Sequence, residues 1–173
     1  MSATKRLEAR LQGAREFTEQ LLSKFNTPEE WTHQVHPKAN HALWFAGHMG
    51  VSDNFFVSLV DPSKAVEKEG YGETFGMGSQ PTNNPDDYPS VEDVLAFMRN
   101  RREALLGVLA DLSDDDLAKP TPEGAPDFLS DVASIFEMAV WHEGIHAGQA
   151  TVAHRSLGNA PMFGAPEAAE SNA

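Results

Sequence analysis

The 173-residue sequence contains no cysteine, so no disulfide closes the fold and no thiolate of the chain can ligate a metal or attack a substrate. Any metal must be held by histidine or carboxylate, and any nucleophilic thiol must come from outside. Positive charge is scarce. Thirteen Lys and Arg stand against 26 Asp and Glu, a formal net charge of −13, which repels phosphate backbones and anionic headgroups and argues against nucleic acid and membrane surfaces as partners. The first residues, MSATKRLEARLQGAREF, lack the apolar core of a secretory signal, so the expected compartment is the cytoplasm. The most apolar stretch, HALWFAGHMGVSDNFFVSLV, carries His41, His48 and Asp53, all costly in hydrocarbon, and reads as a buried helix and not a membrane span. No internal repeat and no strand-like alternation is found.

Four segments instead carry the 3.6-residue apolar period. The first spans about Thr4 to Phe25, with Leu7, Leu11, Ala14, Phe17, Leu21 and Phe25 on one stripe. The second runs from Asn40, a plausible N-cap, to Asp61-Pro62, where proline ends it. The third begins with the capping sequence Ser90-Val91-Glu92-Asp93 and continues through Val94, Met98, Leu105, Leu109 and Leu112, with Arg99, Arg101, Arg102 and Glu103 on its charged face. The fourth starts between Asp127 and Ser130 and stops at Leu157-Gly158. Thr27-Pro28 and Ser113 to Leu117 read as short capped turns. Residues 62–89, rich in glycine and proline, form a long irregular connection that can cross the bundle and make the second and third helices parallel. The expected fold is therefore all-α: one bundle over residues 1–158 and a loosely attached tail at 159–173.

The chemistry lies in WHEGIHAGQ, residues 141–149. His142 and His146 are four apart, so on a helix both rings leave one face within reach of one divalent ion. Two ligands make a weak site. His48, in the middle of the apolar second helix, is the best third, because three core-facing imidazoles are hard to satisfy without a shared cation. The same stretch fits the HExxH motif of zinc peptidases, with Glu143 as general base. A downstream ligand is missing, however: the extended motif's third histidine position is Val152, and Glu167 and Glu170 fall in the tail. A di-iron carboxylate bundle is suggested by Glu143-x-x-His146 and Glu30-x-x-His33, but the second helix supplies no glutamate. His33, His36, His41 and His154 are expected to face solvent, with His41 the next candidate, two turns before His48. Asp53 is weighed as a ligand-orienting carboxylate or base against a solvated surface residue. Gln149 is weighed as a hydrogen-bond donor to substrate or a cap on a ring nitrogen against plain helix packing.

With NHALWFAGHMGVSDNFF at 40–56, LADLSDDDLAKP at 109–120 and HEGIHAGQ at 142–149, the sequence resembles the DinB family of the DinB/YfiT-like superfamily of metal-dependent enzymes over roughly residues 5–158. The resemblance implies a four-helix bundle in up-down-down-up order and a metal held by His48, His142 and His146. It departs from the family at Ala147, where arginine is often found. It further implies a homodimer and a small-molecule substrate, since relatives include thiol-linked transferases and isomerases. The expected function is a metal-dependent thiol transferase or hydrolase, with zinc or nickel as the ion, a low-molecular-weight thiol as co-substrate, and Asp53 and Gln149 as assisting residues. The alternative is a non-catalytic binding bundle with a structural metal.

Overall fold

The computed structural model describes residues 1–163, and among these the chain is helical. The helices are α1 (Ala3–Leu22), α2 (Pro28–Trp31), α3 (Ala42–Val60), α4 (Tyr71–Phe75), α5 (Val91–Ala110), α6 (Asp114–Leu117) and α7 (Val132–Ser156). The only extended pairing among the described residues is an isolated bridge between Pro120 and Asp131. No helix there is long and apolar enough to cross a membrane.

The long helices α1, α3, α5 and α7 form a ring, α1 touching α5 and α7 and α3 touching the same two. Their directions follow from who meets whom. Gly50 lies against Phe97 and Asp53 bonds Arg102, so α3 and α5 run parallel. Leu11 bonds Arg102 and Arg15 bonds Met98, so α1 opposes α5; Trp44 meets His146 and His48 meets His142, so α3 opposes α7. This is the up-down-down-up order, made possible by the crossover at 62–89. That crossover is less irregular than its composition suggests, for it contains α4 and two single 3-10 turns at Pro62–Lys64 and Pro85–Asp87.

Capping sets the helix ends. Ser90 accepts from the Asp93 amide, Asp131 from Ser134, Ser113 from Asp116 and Thr27 from Glu30, each satisfying an amide that the first turn leaves without a partner. The second long helix departs from expectation here. Its N-cap is His41, whose Nδ1 accepts from the Trp44 amide at 3.1 Å, and Asn40 is turned elsewhere. His41 is therefore fully buried and not in solvent. Its Nε2 bonds the Tyr88 hydroxyl at 3.0 Å, and Tyr88 is tied to Thr82 of the crossover. His154 is buried too, its ring edge-on to Phe25, while His33 is half-buried beside the Ser156 hydroxyl and His36 is exposed.

The core is divided in two. One cluster gathers Leu21, Leu22, Phe25, Trp44, Phe45, Phe75, Phe97 and Ala150; the other gathers Leu7, Leu11, Phe56, Leu105, Leu109, Ile135 and Phe136. Between them lies a layer of four buried charges, one from each long helix: Arg15, Asp53, Arg102 and Glu143. Arg102 and its neighbour Arg101 thus leave the charged face on which their spacing places them, whereas Arg99 and Glu103 stay exposed. In the expected tail, Phe163 stacks on Phe17 at 5.5 Å between centroids; residues 164–173 lie outside the described residues.

Candidate metal centre

His48 leaves the middle of α3, and His142 and His146 leave one face of α7 a turn apart. Because the two helices run antiparallel, the three rings meet. His142 Nε2 stands 3.1 Å from His48 Nε2 and 3.0 Å from His146 Nε2. Four coordinate bonds of about 2.0–2.1 Å to zinc place neighbouring tetrahedral ligands about 3.3 Å apart, so the triangle is already close to the size a cation needs.

The outer nitrogens fix which way the lone pairs point. His48 Nδ1 lies 2.6 Å from the Phe75 carbonyl, which can only accept, so that nitrogen carries the hydrogen and Nε2 presents its lone pair. His146 Nδ1 makes the same bond to Gln149 Oε1 at 3.0 Å, and the Asn40 amide donates to that same oxygen at 3.1 Å. Two lone pairs therefore face His142 Nε2, which can offer a proton to one of them only. A divalent cation satisfies all three. His142 Nδ1 is buried with no partner, so this third ring lacks the outer hydrogen bond that orients the other two.

The surroundings keep the rings neutral. His48, His142 and His146 are each pushed from 6.5 down to about 4, chiefly by burial, which disfavours the imidazolium. The neighbouring rings lower them further, against a partial opposing pull from the Phe75 carbonyl on His48, Asp53 on His142 and Gln149 on His146. Trp44 stacks on His48 at 4.4 Å and 17°, held there by its indole N–H donating to Ser79. Neutral imidazole is the ligating form, so the environment favours metal over protons.

The crossover reaches this centre because of one glycine. The Phe75 ring lies against Gly47 of α3, where a Cβ would stand 2.6 Å from the ring's Cε1. Only a residue without a side chain lets α4 come close enough for its last carbonyl to meet His48.

Asp53 and Glu143 lie one layer below and face away from the rings into the arginines. Arg102 holds Asp53 by two parallel bonds, Nε to Oδ2 at 2.9 Å and Nη2 to Oδ1 at 3.0 Å, and Arg15 adds Nη2 to Oδ2 at 3.0 Å. Arg15 Nε donates to Glu143 Oε1 at 2.7 Å; Arg102 Nη2 stands 2.7 Å from Glu143 Oε2, an ion pair out of line for a hydrogen bond. The third nitrogens go to backbone carbonyls of Leu11 and Met98. Burial alone pulls the Arg102 guanidinium toward losing its proton, but the two carboxylates hold it above its ordinary range. Two positive and two negative charges close the layer on itself. Glu143 is thus engaged by arginines, not free to serve as the base of a zinc peptidase, and Asp53 is buried and not solvated.

Two surface clefts lie away from the rings, one of about 740 Å³ bordered by Val51, Lys68, Tyr71 and Phe97, the other of about 410 Å³ between α1 and α5. Among the three ligands the ring of His142 is the most exposed, only half-buried, and it marks the open side of the centre.

The model of the DinB superfamily matches residues 10–150, which contain all four long helices in whole or large part and all three histidines. None of the curated proteins matches the chain. The chain belongs to the DinB superfamily.

Proposed function

We propose that the chain is a metal-dependent enzyme in which His48, His142 and His146 hold one divalent ion, zinc or nickel, with a coordination position left for a small ligand beside His142. The observation that carries this reading is the convergence of three Nε2 atoms, two of them committed as lone-pair donors by Phe75 and Gln149. Three neutral imidazoles leave the dication's charge nearly uncompensated, and such an ion lowers the pKa of a bound water or thiol toward neutrality. The absence of cysteine directs the thiol reading to a low-molecular-weight co-substrate in the cytoplasm, so that thiol transfer and hydrolysis of a small molecule are the two reaction classes supported.

The chain's own residues have separable tasks. Gln149 orients His146, and Asn40 orients Gln149. Phe75 orients His48, and Trp44 covers it and excludes water from one side. Asp53 acts on the site as an anchoring carboxylate, its charge directed at Arg15 and Arg102 while still favouring His142 as a cation.

A second reading, a structural ion in a binding protein, is favoured by the burial of His48 and His146 against Trp44 and Phe45. Cobalt substitution separates the two. An open position gives a visible spectrum that shifts on adding a thiol or hydroxamate, whereas an enclosed ion gives one that does not respond. Loss of stoichiometric metal in His48→Ala and His142→Ala tests the ligand set itself.

A further inference from the structure

The larger surface cleft, about 740 Å³, is of a size that takes a small molecule. Its wall is set before any ligand arrives. Asn54 of α3 donates to the Val66 carbonyl at 2.8 Å and accepts from the Val66 amide at 3.0 Å, which pins the crossover to the helix. The buried Arg101 of α5 donates to the Asn54 side chain and to the Lys64 carbonyl, so its guanidinium is spent on the same wall. A left-handed turn at Gly70, with φ of 75°, then brings in Tyr71 at the start of α4.

Two aromatic residues of the lining decide what the cleft attracts. Tyr71 and Phe97 are both buried, their ring centroids 4.8 Å apart and their planes at 69°. The Nζ of Lys68 stands over both, 4.3 Å from the Tyr71 centroid and 5.2 Å from that of Phe97, within the distance at which the negative face of a ring attracts a cation. The chain's own ammonium thus shows what the pair binds. Lys68 is exposed and lies outside any helix, so its side chain can leave for water. The exposed carboxylates of Glu67, Glu69 and Glu73 also border the cleft, and among the described residues lining it Lys68 is the sole cation. Three carboxylates against one ammonium repel an anion and favour a cation. The Tyr71 hydroxyl, finally, is buried without a hydrogen-bond partner. A primary ammonium carries three N–H donors, one of which can serve that oxygen while the charge stays over the rings.

We propose that this cleft binds a primary organic ammonium ion, which takes the place of the Lys68 ammonium over Tyr71 and Phe97 and lays its carbon chain along Val51. Lys68 is then a built-in competitor, and the ligand enters as it swings out. The cleft lies away from the three histidines, so the site is separate from the metal centre and stands whichever ion is bound there.

Butylammonium, 1-pentanol and pentanoate are similar in length and differ in charge. Each is titrated into the full chain at constant ionic strength while NMR follows the ring protons of Tyr71 and Phe97. Butylammonium is expected to shift them saturably, and the other two to leave them in place. Lys68→Ser removes the competitor and is expected to tighten butylammonium binding about tenfold. Lys38→Ser, also exposed but not on the cleft, changes the net charge equally and is expected to leave the affinity as it was. Far-UV circular dichroism checks that both variants stay folded. Shifts that do not saturate, or equal shifts with pentanol or pentanoate, overturn the proposal, since the cleft then holds no site or one that is blind to positive charge. An affinity that Lys68→Ser leaves unchanged, or that Lys38→Ser raises as much, overturns it too, because Lys68 then does not occupy the ligand's place.

Discussion

Arg102 and Asp53 face each other across the parallel helices α3 and α5, joined by two hydrogen bonds of 2.9 and 3.0 Å in a setting where each side chain is 3% exposed or less. Removing one member strands its partner's charge in a dry interior. Asp53→Ala and Arg102→Met are each expected to cost about 4 kcal/mol of unfolding free energy in urea titrations. Replacing Arg15, Asp53, Arg102 and Glu143 together by Met and Leu is expected to cost less than either single change, since no charge is then left unmatched.

Acid is expected to unfold the metal-free protein. The ring of His41, fully buried as a helix cap, is depressed from 6.5 to about 4 by burial, partly opposed by the carbonyls of Thr82 and Trp31. Between those two values the unfolded chain takes up a proton that the folded chain refuses. Stability contributed by neutral His41 is therefore whole above pH 6.5 and lost as the pH falls to 4, up to about 3 kcal/mol. Thermal melts of the metal-free protein at steps from pH 7 to pH 4 are expected to show the decline. His41→Asn, which can still cap, is expected to remove the His41 share of the decline and leave the share of His48, His142 and His146, which burial depresses in the same direction.

Gln149 bears on the metal through His146. Gln149→Leu keeps the size but removes the oxygen that holds Nδ1–H, and is expected to weaken metal affinity about 10- to 100-fold in competition titrations with a chelating dye. Asn40→Ala, one bond further out, is expected to have a smaller effect in the same direction.

Gly47 bears on it through Phe75. A methyl group at position 47 has no room against the ring, so Gly47→Ala is expected to push α4 outward, break the bond from His48 to the Phe75 carbonyl and weaken metal binding about tenfold. Trimming the ring in Gly47→Ala/Phe75→Leu is expected to recover part of the loss. In nitrogen NMR, the His48 Nδ1–H signal should vanish in the first variant and return in the second.

Metal itself is expected to stabilise the fold. At a free concentration about 1,000 times the dissociation constant, the gain is about 4 kcal/mol. Calorimetry with and without a chelator reads it, and His142→Ala should abolish the difference.

Much of this was legible in the sequence, because the apolar period is strong where helices are long and because His142 and His146 announce themselves by spacing. His48 could be joined to them only by supposing that two apolar faces meet, which the antiparallel packing of α3 on α7 bears out. The outer partners were harder. The Phe75 carbonyl is a backbone group that any residue could supply, and nothing in the sequence ties position 75 to position 48 except the small side chain at 47. His41 was misplaced because imidazole is an uncommon cap, and Asn40 beside it is a common one. The charged layer did leave a trace. Arg15 follows Leu7 and Leu11 at helical spacing, Arg102 follows Met98, and Glu143 falls between Ala139 and Ala147. Asp53 likewise falls between Met49 and Val57. Each is a charge where the period asks for an apolar residue, and reading the four exceptions together predicts that they pair.

That layer also bears on how the chain finds its own alignment. Apolar side chains tolerate a helix sliding by a turn, since one Leu replaces another against the same neighbours. Two guanidinium groups and two carboxylates drawn from four different helices do not, because a slip of about 5.4 Å in any one of them leaves opposite charges unmatched in a dry medium. The bundle thus has a single admissible longitudinal setting. The rings of positions 48, 142 and 146, carried next to that girdle on the same two helices as Asp53 and Glu143, inherit their meeting point from it.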